Sequence, residues 1–240
     1  MKNSLLLTAF TLVSLFAFSQ TEKVINDKNA EKRPAQGFHG IQISGGIDLY
    51  LTQSGDEAVA VSAADPEVRD RIKVEVVDGT LKIYVEDRGF HWNWHNQHMK
   101  AYVSCKTLNQ LHASGGSDVF IDNPVHSDGL RMDLSGGSDF HGKLNVTGEL
   151  TIHQSGGADS YIVGSAGTLT LHLSGGSDFH GYDLTADQCQ VDATGGSDAY
   201  VSVNKELTAN ASGGSDVHYK GNGVVRSSHA SGSGSISRRD

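Results

Sequence analysis

Apolar and polar side chains alternate along most of the chain after residue 37. Before one copy of a short glycine-containing motif, Leu130, Met132 and Leu134 occupy every second position, and after another copy Val119 and Ile121 do the same. A period of two residues is typical of a β-strand with one buried face. The pattern predicts an all-β protein, and no helical periodicity interrupts the repeated region.

A Ser-Gly-Gly-Ser-Asp motif, or a close variant of it, divides this alternation at regular intervals. The copies end at aspartates separated by 21, 20, 19, 20 and 18 residues, namely Asp118, Asp139, Asp159, Asp178, Asp198 and Asp216. An early copy, Ser44–Asp48, precedes this array, and a degenerate copy, Ser231–Ser235, follows it. Self-similarity with a period of about 20 residues predicts a parallel β-helix-like solenoid in which each repeat forms one coil.

Each coil should contain a strand, the Gly-Gly corner, a second strand and a further turn, such as 145–148 or 164–167. Glycine supplies the positive-φ or Cβ-free conformations that a tight corner needs. The flanking serine and aspartate side chains can hydrogen-bond main-chain groups of the corner. The motif therefore has a structural interpretation that needs no ligand.

Stacking of the coils would also align the six motif aspartates in one column. Carboxylates that lie this close repel one another unless they have partners. Calcium is one possible partner, because it takes several oxygen ligands, and the six aspartates are its candidate ligands. We favour the alternative, in which each aspartate accepts hydrogen bonds from its own corner and the protein needs no cofactor, since one carboxylate per coil makes a poor calcium site.

Two further columns of side chains face outward by the same alternation. The first, two residues after each motif aspartate, is the candidate binding face: Tyr50, Phe120, His141, Tyr161, His180, Tyr200 and His218. The second lies two residues before each motif: His112, Asp133, His153, His172, Asp192 and Asn210. Exposed aromatic residues favour a sugar- or protein-binding function. The imidazoles and carboxylates also resemble surface ligands for zinc or copper, and the structural alternative is that flat side chains stabilise neighbouring strands.

The N-terminal part of the chain differs from the repeats. Lys2 and an apolar run to Phe18 precede a small-residue cleavage context, which predicts a signal peptide. The run is too short to cross a bilayer, and no later segment is long and apolar enough to do so. The predicted division of the chain is a signal peptide at 1–19, a flexible leader at 20–37, an N-terminal β region at 38–113 and the repeat solenoid at 114–236, with 38–236 as one continuous head domain.

Within the N-terminal β region, Asp78-Gly79 predicts a hairpin. A following insert at 90–98 contains Trp92 and Trp94 together with three histidines. We interpret this insert as an exposed recognition loop. A metal site at its histidines, His91, His95 and His98, is the weaker alternative, because no acidic residue is interleaved with them.

Composition narrows the possible partners. The chain has 29 glycines, only 7% aromatic residues and a formal net charge of −9. A negative charge of this size, with no basic patch to offset it, argues against nucleic acid or an anionic membrane as partner. Cys105 and Cys189 could pair in an oxidising compartment, but they occupy different positions in the repeat, so the sequence leaves their pairing open.

The order of these features resembles one known family. The segment FxxIQISGGIDLYLTQ, then the DGTLKIYV hairpin, then AYVSCKTLNQLHASGGSDVF and repeated SGGSD coils are similar to the GIN-domain family of autotransporter adhesin heads. The resemblance covers about residues 38–225, and the GIN motif stands here as Gly46-Ile47-Asp48. It implies a parallel β-helix-like head in an exported protein of Bacteroidetes type, with an inferred adhesin role and no established catalytic residues.

We therefore expect a non-enzymatic protein that binds a surface protein or glycan through a repetitive solenoid face. It should be exported, to the periplasm, the outer membrane or the cell exterior. A polysaccharide-active enzyme on a β-helix is one alternative, but aspartate and histidine recur once per coil instead of converging on one cluster. A structural or signalling-linked role in the envelope is another, because a fold does not by itself define a function.

Overall fold

The structure is a computed structural model that describes residues 26–86 and 98–239. The predicted signal peptide and the residues Trp92, Trp94, His91 and His95 lie outside the described residues. Within the described part, regular structure is almost entirely β, with one short helix, α1, at Pro66–Arg71. No helix of this part is long and apolar enough to cross a membrane.

The strands occur in two groups along the chain. Those before and at the start of the repeat array are β1 Glu31–Arg33, β2 Gly40–Ser44, β3 Asp48–Gln53, β4 Ala58–Ser62, β5 Ile72–Val77, β6 Thr80–Val85, β7 Lys100–Cys105, β8 Gln110–Ser114 and β9 Val119–Ile121. Those that follow are β10 Val125–Ser127, β11 Leu130–Ser135, β12 Phe140–Ser155, β13 Ser160–Leu173, β14 Phe179–Gly195, β15 Asp198–Gly213, β16 Asp216–Lys220, β17 Val224–Ala230 and β18 Ser235–Arg238.

Neighbouring coils stack as parallel strands. The long strands β12, β13, β14 and β15 pair in chain order, which places Leu150 opposite Leu169 and Leu169 opposite Cys189. Side chains at equivalent repeat positions therefore lie one strand spacing apart, about 4.8 Å. This arrangement confirms the predicted all-β solenoid with coils of about 20 residues.

Each coil has three sides, where the sequence pattern indicated two sides and a turn. In the coil after Asp118 the sides are β9, β10 and β11, and β10 pairs with residues 144–146 of the next coil. Leu144 and Val146 are buried. The predicted second turn at 145–148 is therefore wrong in its first two residues, which belong to β12 and pair with the three-residue strand β10.

The early motif forms a coil of the same stack. β2 pairs with β8 and β3 pairs with β9, so that Ser44 lies opposite Ser114. On the other side of this coil, β6 pairs with β2 and β7 pairs with β3. The N-terminal β region thus adds coils to the solenoid, and their spatial order differs from their order in the chain.

Antiparallel strands cover the outer side of the coil made by β6 and β7. β5 pairs with β6, which confirms the hairpin predicted at Asp78-Gly79, and β4 pairs with β7. β1 adds to β4, so our expectation of a flexible leader is wrong for Glu31–Arg33. These antiparallel pairings occupy main-chain groups that an open sheet edge would expose. Arg33 of β1 and Arg69 of α1 also form ion pairs with Glu31.

The interior contains a column of small side chains beside the apolar core. The fourth motif residue is buried in every copy of the array, at Ser117, Ser138, Ala158, Ser177, Ser197 and Ser215. The serine hydroxyls bind main-chain groups of the corners, as Ser215 donates to the carbonyl oxygen of Ser212 at 2.8 Å. Where alanine replaces serine, the buried Gln154 donates to the carbonyl oxygen of Ala158 at 2.8 Å. This amide keeps the corner hydrogen-bonded without a hydroxyl.

The two cysteines do not form a disulfide. Cys105 lies in β7 and Cys189 in β14, and both are buried and unpaired. Burial raises the pKa of Cys105 to about 11 and that of Cys189 to about 12. Because the thiolate is the reactive form of cysteine, both thiols are expected to be unreactive at neutral pH.

The corner glycines give a first testable prediction. Gly195 has φ of +85°, and a Cβ there would lie 2.7 Å from the carbonyl oxygen of Gly175 in the preceding coil. Gly195→Ala should therefore lower the free energy of unfolding by about 1–3 kcal/mol in urea denaturation. At the neighbouring Gly196 φ is not positive and the nearest such contact is 3.8 Å, so Gly196→Ala should change stability by less than about 1 kcal/mol. Equal losses in the two variants would contradict this role.

Candidate functional site on the solenoid face

The motif aspartates form a hydrogen-bonded column. Each carboxylate accepts the main-chain N–H of the aspartate in the next coil, at distances of 3.0, 3.2, 2.9, 3.1 and 3.2 Å for the successive pairs of Asp118, Asp139, Asp159, Asp178, Asp198 and Asp216. Ser235 ends the column by donating its hydroxyl to Asp216 at 2.6 Å. We expected each aspartate to bind its own corner, but these bonds join one coil to the next.

Two carboxylates of the column, those of Asp139 and Asp178, have raised pKa values. Burial raises the pKa of Asp139, the N–H of Asp159 opposes this rise, and the negative charges of Asp118 and Asp159 add to it. The pKa of Asp178 is raised in the same way by burial and by its two neighbours in the column. A raised pKa in the folded state means that stability falls as the pH rises from the ordinary value through the raised one. The ionised column is thus held together against its own repulsion by the N–H donors.

A metal centre is not evident at this column. No group of three or more His, Cys, Asp or Glu side chains within 26–86 and 98–239 is arranged to hold a metal ion. The inter-coil hydrogen bonds occupy one oxygen of each motif aspartate from Asp118 to Asp216. Calcium binding by the six motif aspartates stays a hypothesis that calcium titration can test.

The candidate binding face is a continuous stack of eight rings, which we call the ring stack. Adjacent ring centroids are 4.4–5.5 Å apart along the order Tyr102, Tyr50, Phe120, His141, Tyr161, His180, Tyr200 and His218. From Phe120 to Tyr200 the planes of adjacent rings differ by no more than 9°. Parallel pairing puts equivalent positions of successive coils in line, so all seven predicted residues lie in this stack.

Stacking determines which part of each ring can reach a ligand. Each interior ring has a neighbouring ring on both faces, and Tyr161 is the most exposed member at 43%. His218 is only 9% exposed, and its Nδ1 lies 2.8 Å from the hydroxyl of Ser237. The ring stack therefore presents mainly ring edges, which carry tyrosine hydroxyls and imidazole nitrogens.

Two tyrosines and two lysines extend this surface beyond the predicted residues. Tyr102 ends the ring stack and donates its hydroxyl to Asp27 at 2.9 Å, while burial raises its pKa. Tyr182 contacts Tyr200 edge to face, and the Lys220 Nζ lies 5.2 Å from the Tyr182 ring centroid. Lys100 takes a similar position 5.5 Å from the ring of Tyr50. Tyr102 was missed in the sequence because β7 adjoins no SGGSD motif from which its position could be counted. The apolar–polar alternation of β7 is the signal that places its side chain outward.

The second outward column forms a polar network. Arg131 makes two hydrogen bonds to Asp133, at 3.0 and 2.7 Å. The Nδ1 of His153 lies 3.0 Å from Asp133, and the rings of His153 and His172 are 4.7 Å apart. Farther along the column, the side-chain amide of Asn210 donates to Asp192 at 2.7 Å. The second outward column and the ring stack thus run parallel along the solenoid. Trp92 and Trp94, the other predicted binding residues, lie outside the described residues.

The fold and its repeating outward columns define the class as a β-solenoid with a repetitive surface. The chain belongs to the family described as "Putative auto-transporter adhesin, head GIN domain", which matches residues 37–223. This match confirms the family resemblance in the sequence. Among proteins with curated descriptions, none matches the chain.

Solved structures show the same fold. A protein of Bacteroides fragilis described as a "putative adhesin" has a TM-score of 0.79 at 22% identity, covering 88% of this chain and 96% of that one. A "putative adhesin" of Parabacteroides merdae has a TM-score of 0.66 at 16% identity, with coverages of 88% and 95%. A "putative lipid binding protein" of Parabacteroides distasonis has a TM-score of 0.66 at 20% identity, with coverages of 89% and 98%.

Substitution of Asp139 tests the balance in the aspartate column. Asp139→Ala removes the acceptor of the Asp159 N–H and should lower the free energy of unfolding by about 1–3 kcal/mol. Asp139→Asn keeps an acceptor oxygen and removes a charge, so at pH 7 it should be at least as stable as the wild type. Its advantage should shrink as the pH falls toward 3.8, the ordinary pKa of aspartate. Urea denaturation at both pH values measures this, and an asparagine variant as unstable as the alanine variant would be inconsistent with it.

Calcium titration tests the other interpretation of the column. We expect calcium added to the EDTA-treated protein to leave the melting temperature unchanged, because inter-coil N–H groups already partner the carboxylates. Isothermal titration should show no saturable uptake, and Asp139→Asn serves as the matched variant. Uptake of several equivalents with a large rise in melting temperature, both smaller in Asp139→Asn, would establish a calcium column instead.

Proposed function

We propose that this protein is an exported, non-enzymatic adhesin head that binds a repeating polysaccharide at a cell surface. The observation that carries the proposal is the ring stack, in which rings with polar edges follow one another from His141 to Tyr200 with centroids 4.4–5.2 Å apart. Family membership and the adhesin-like names of its structural neighbours support a surface-binding role.

A repeating ligand suits a repeating face better than a globular protein surface does. Tyrosine hydroxyls and imidazole nitrogens donate and accept hydrogen bonds, as sugar hydroxyls do. Each coil offers the same weak contact, and a polymer that engages several coils gains affinity through effective concentration. Ring faces are already covered by neighbouring rings, so recognition has to use the edges.

The absence of enzymatic activity is part of the proposal. Glycoside hydrolysis generally uses two carboxyl groups that face each other across the scissile bond. The motif aspartates instead follow one line, and each accepts a main-chain N–H of the next coil. Hydrogen bonds of this kind suit a scaffold better than an acid–base pair.

Lipid binding, the role in the name of the Parabacteroides distasonis neighbour, has less support in this chain. The solenoid interior is filled by side chains such as Phe140, Phe179 and Leu184, which are fully buried. A groove with a volume of about 370 Å³ is lined in part by Asp78, Lys82 and other polar groups. Lipid pockets are usually apolar and enclosed.

An array of bacterial and host polysaccharides, probed with the purified protein, tests the proposed function. Binding should be observed to one class of polymer, and affinity should rise with the number of sugar units. Tyr161→Phe combined with Tyr200→Phe keeps the rings and removes two hydroxyls, which should weaken binding by about tenfold or more. A protein that binds no polysaccharide, or a double variant that binds as well as the wild type, would overturn the proposal.

The matched control is Tyr84→Phe. Tyr84 lies in β6, outside the ring stack, and it also carries a hydroxyl. This variant should bind polysaccharide as the wild type does. Equal weakening in Tyr84→Phe would show that the stack is not the binding surface.

A further inference from the structure

The second outward column brings two histidines together on adjacent coils. His153 in β12 pairs in register with His172 in β13, and their ring centroids are 4.7 Å apart with a tilt of 54°. The side chains are 35% and 43% exposed. In the ring stack, by contrast, a tyrosine separates His141 from His180. The pair is thus a distinct feature of this face.

A carboxylate lies beside each imidazole, on the side away from the other histidine. Asp133, one coil before His153, lies 3.0 Å from its Nδ1. Asp192, one coil after His172, lies 3.4 Å from its Nδ1. Neither Nε2 hydrogen-bonds to another residue within 26–86 or 98–239. Carboxylates that bind one imidazole nitrogen orient the ring and make the other nitrogen a better metal ligand.

We propose that His153 and His172 form a surface site for a divalent transition-metal ion, with Cu²⁺ as the preferred ion. The two Nε2 atoms are the protein ligands, and water completes the coordination. Asp133 and Asp192 are positioning residues that act through the imidazoles. This proposal does not depend on polysaccharide binding, since the site lies outside the ring stack.

The choice of ion follows from the chemistry of the donors. Imidazole suits copper, nickel and zinc, and among divalent first-row ions Cu²⁺ binds nitrogen ligands most tightly. Calcium takes oxygen ligands and would not use this pair. With two protein ligands the site is open, which is compatible with the lack of a cluster of three or more ligands in the described residues.

The positive charge of Arg131 is the main electrostatic factor that opposes cation binding at this site. Its Nη2 lies 2.7 Å from the Nδ1 of His153 and also binds Asp133. The guanidinium therefore approaches the Nδ1 side of this ring, while the ligand atom is Nε2. Because arginine only donates, this contact uses the tautomer in which Nδ1 accepts and Nε2 carries the proton. Metal binding requires the other tautomer, in which Nδ1–H donates to Asp133, the lone pair is on Nε2 and Arg131 keeps only its bonds to Asp133.

Copper titration of the purified protein tests the site. Isothermal titration and electron paramagnetic resonance should show one more equivalent of Cu²⁺ in the wild type than in His153→Gln combined with His172→Gln, with hyperfine coupling to two nitrogens. Asp192→Asn should weaken that equivalent by about tenfold while the melting temperature without metal stays unchanged. Ni²⁺ and Zn²⁺ should bind more weakly at the same place.

His180→Gln is the matched control, because it removes an outward imidazole whose ring neighbours are Tyr161 and Tyr200. It should retain the copper equivalent and its two-nitrogen signal. Measuring the difference between variants also separates this site from any copper bound by other histidines. Equal uptake and identical spectra in the wild type and the double variant would overturn the proposal, as would loss of the signal in His180→Gln alone. If the double variant fails to fold, His172→Gln alone should reduce the signal to one nitrogen, and an unchanged signal would be equally decisive.

Discussion

Main-chain hydrogen bonding between successive coils is the constraint on which the rest of this structure depends. At the corners the peptide groups stack directly, with Gly196 donating to the carbonyl oxygen of Gly175 at 2.7 Å and Gly214 donating to that of Gly195 at 2.6 Å. A Cβ on the first glycine of the motif would enter this contact. Each coil must therefore repeat the corner of its neighbour. Coils of different length differ away from the corner, for example at the register shift between Val146 and Glu149.

In-register stacking places like side chains on like side chains, with different results for charges and for rings. Burial raises the pKa values of Asp139 and Asp178, and the repulsion between aspartates of the column adds to this rise. The N–H of each following aspartate offsets this repulsion. Rings in a column attract one another, and the ring stack covers its own faces. The aspartate column thus joins the coils, whereas the ring stack leaves its ring edges available for binding.

The proposed functions follow from this division of roles between columns. Repetition of Tyr and His edges favours a ligand that repeats, whereas the variation within the second column produces a local feature. In the second column, histidines occupy adjacent coils at one place along the described solenoid. These are His153 and His172, which lie between Asp133 and Asp192. A repeat protein can in this way combine an extended recognition face with a single site, because its scaffold does not require that outward positions be identical.

The sequence by itself determined the repeat, the solenoid and the outward columns, because a period of two within a period of about 20 leaves few other ways to bury the apolar residues. Membership of the ring stack followed for seven of its eight residues, since each stands at a fixed distance from a motif. Tertiary structure decided what no spacing encodes. Tyr102 joins the stack because β7 pairs with β3 across 52 residues of chain, from Tyr50 to Tyr102. Likewise, Asp139 binds the next coil and Glu31–Arg33 form a strand because their partners are distant in sequence, and only the folded chain brings these groups within hydrogen-bonding distance.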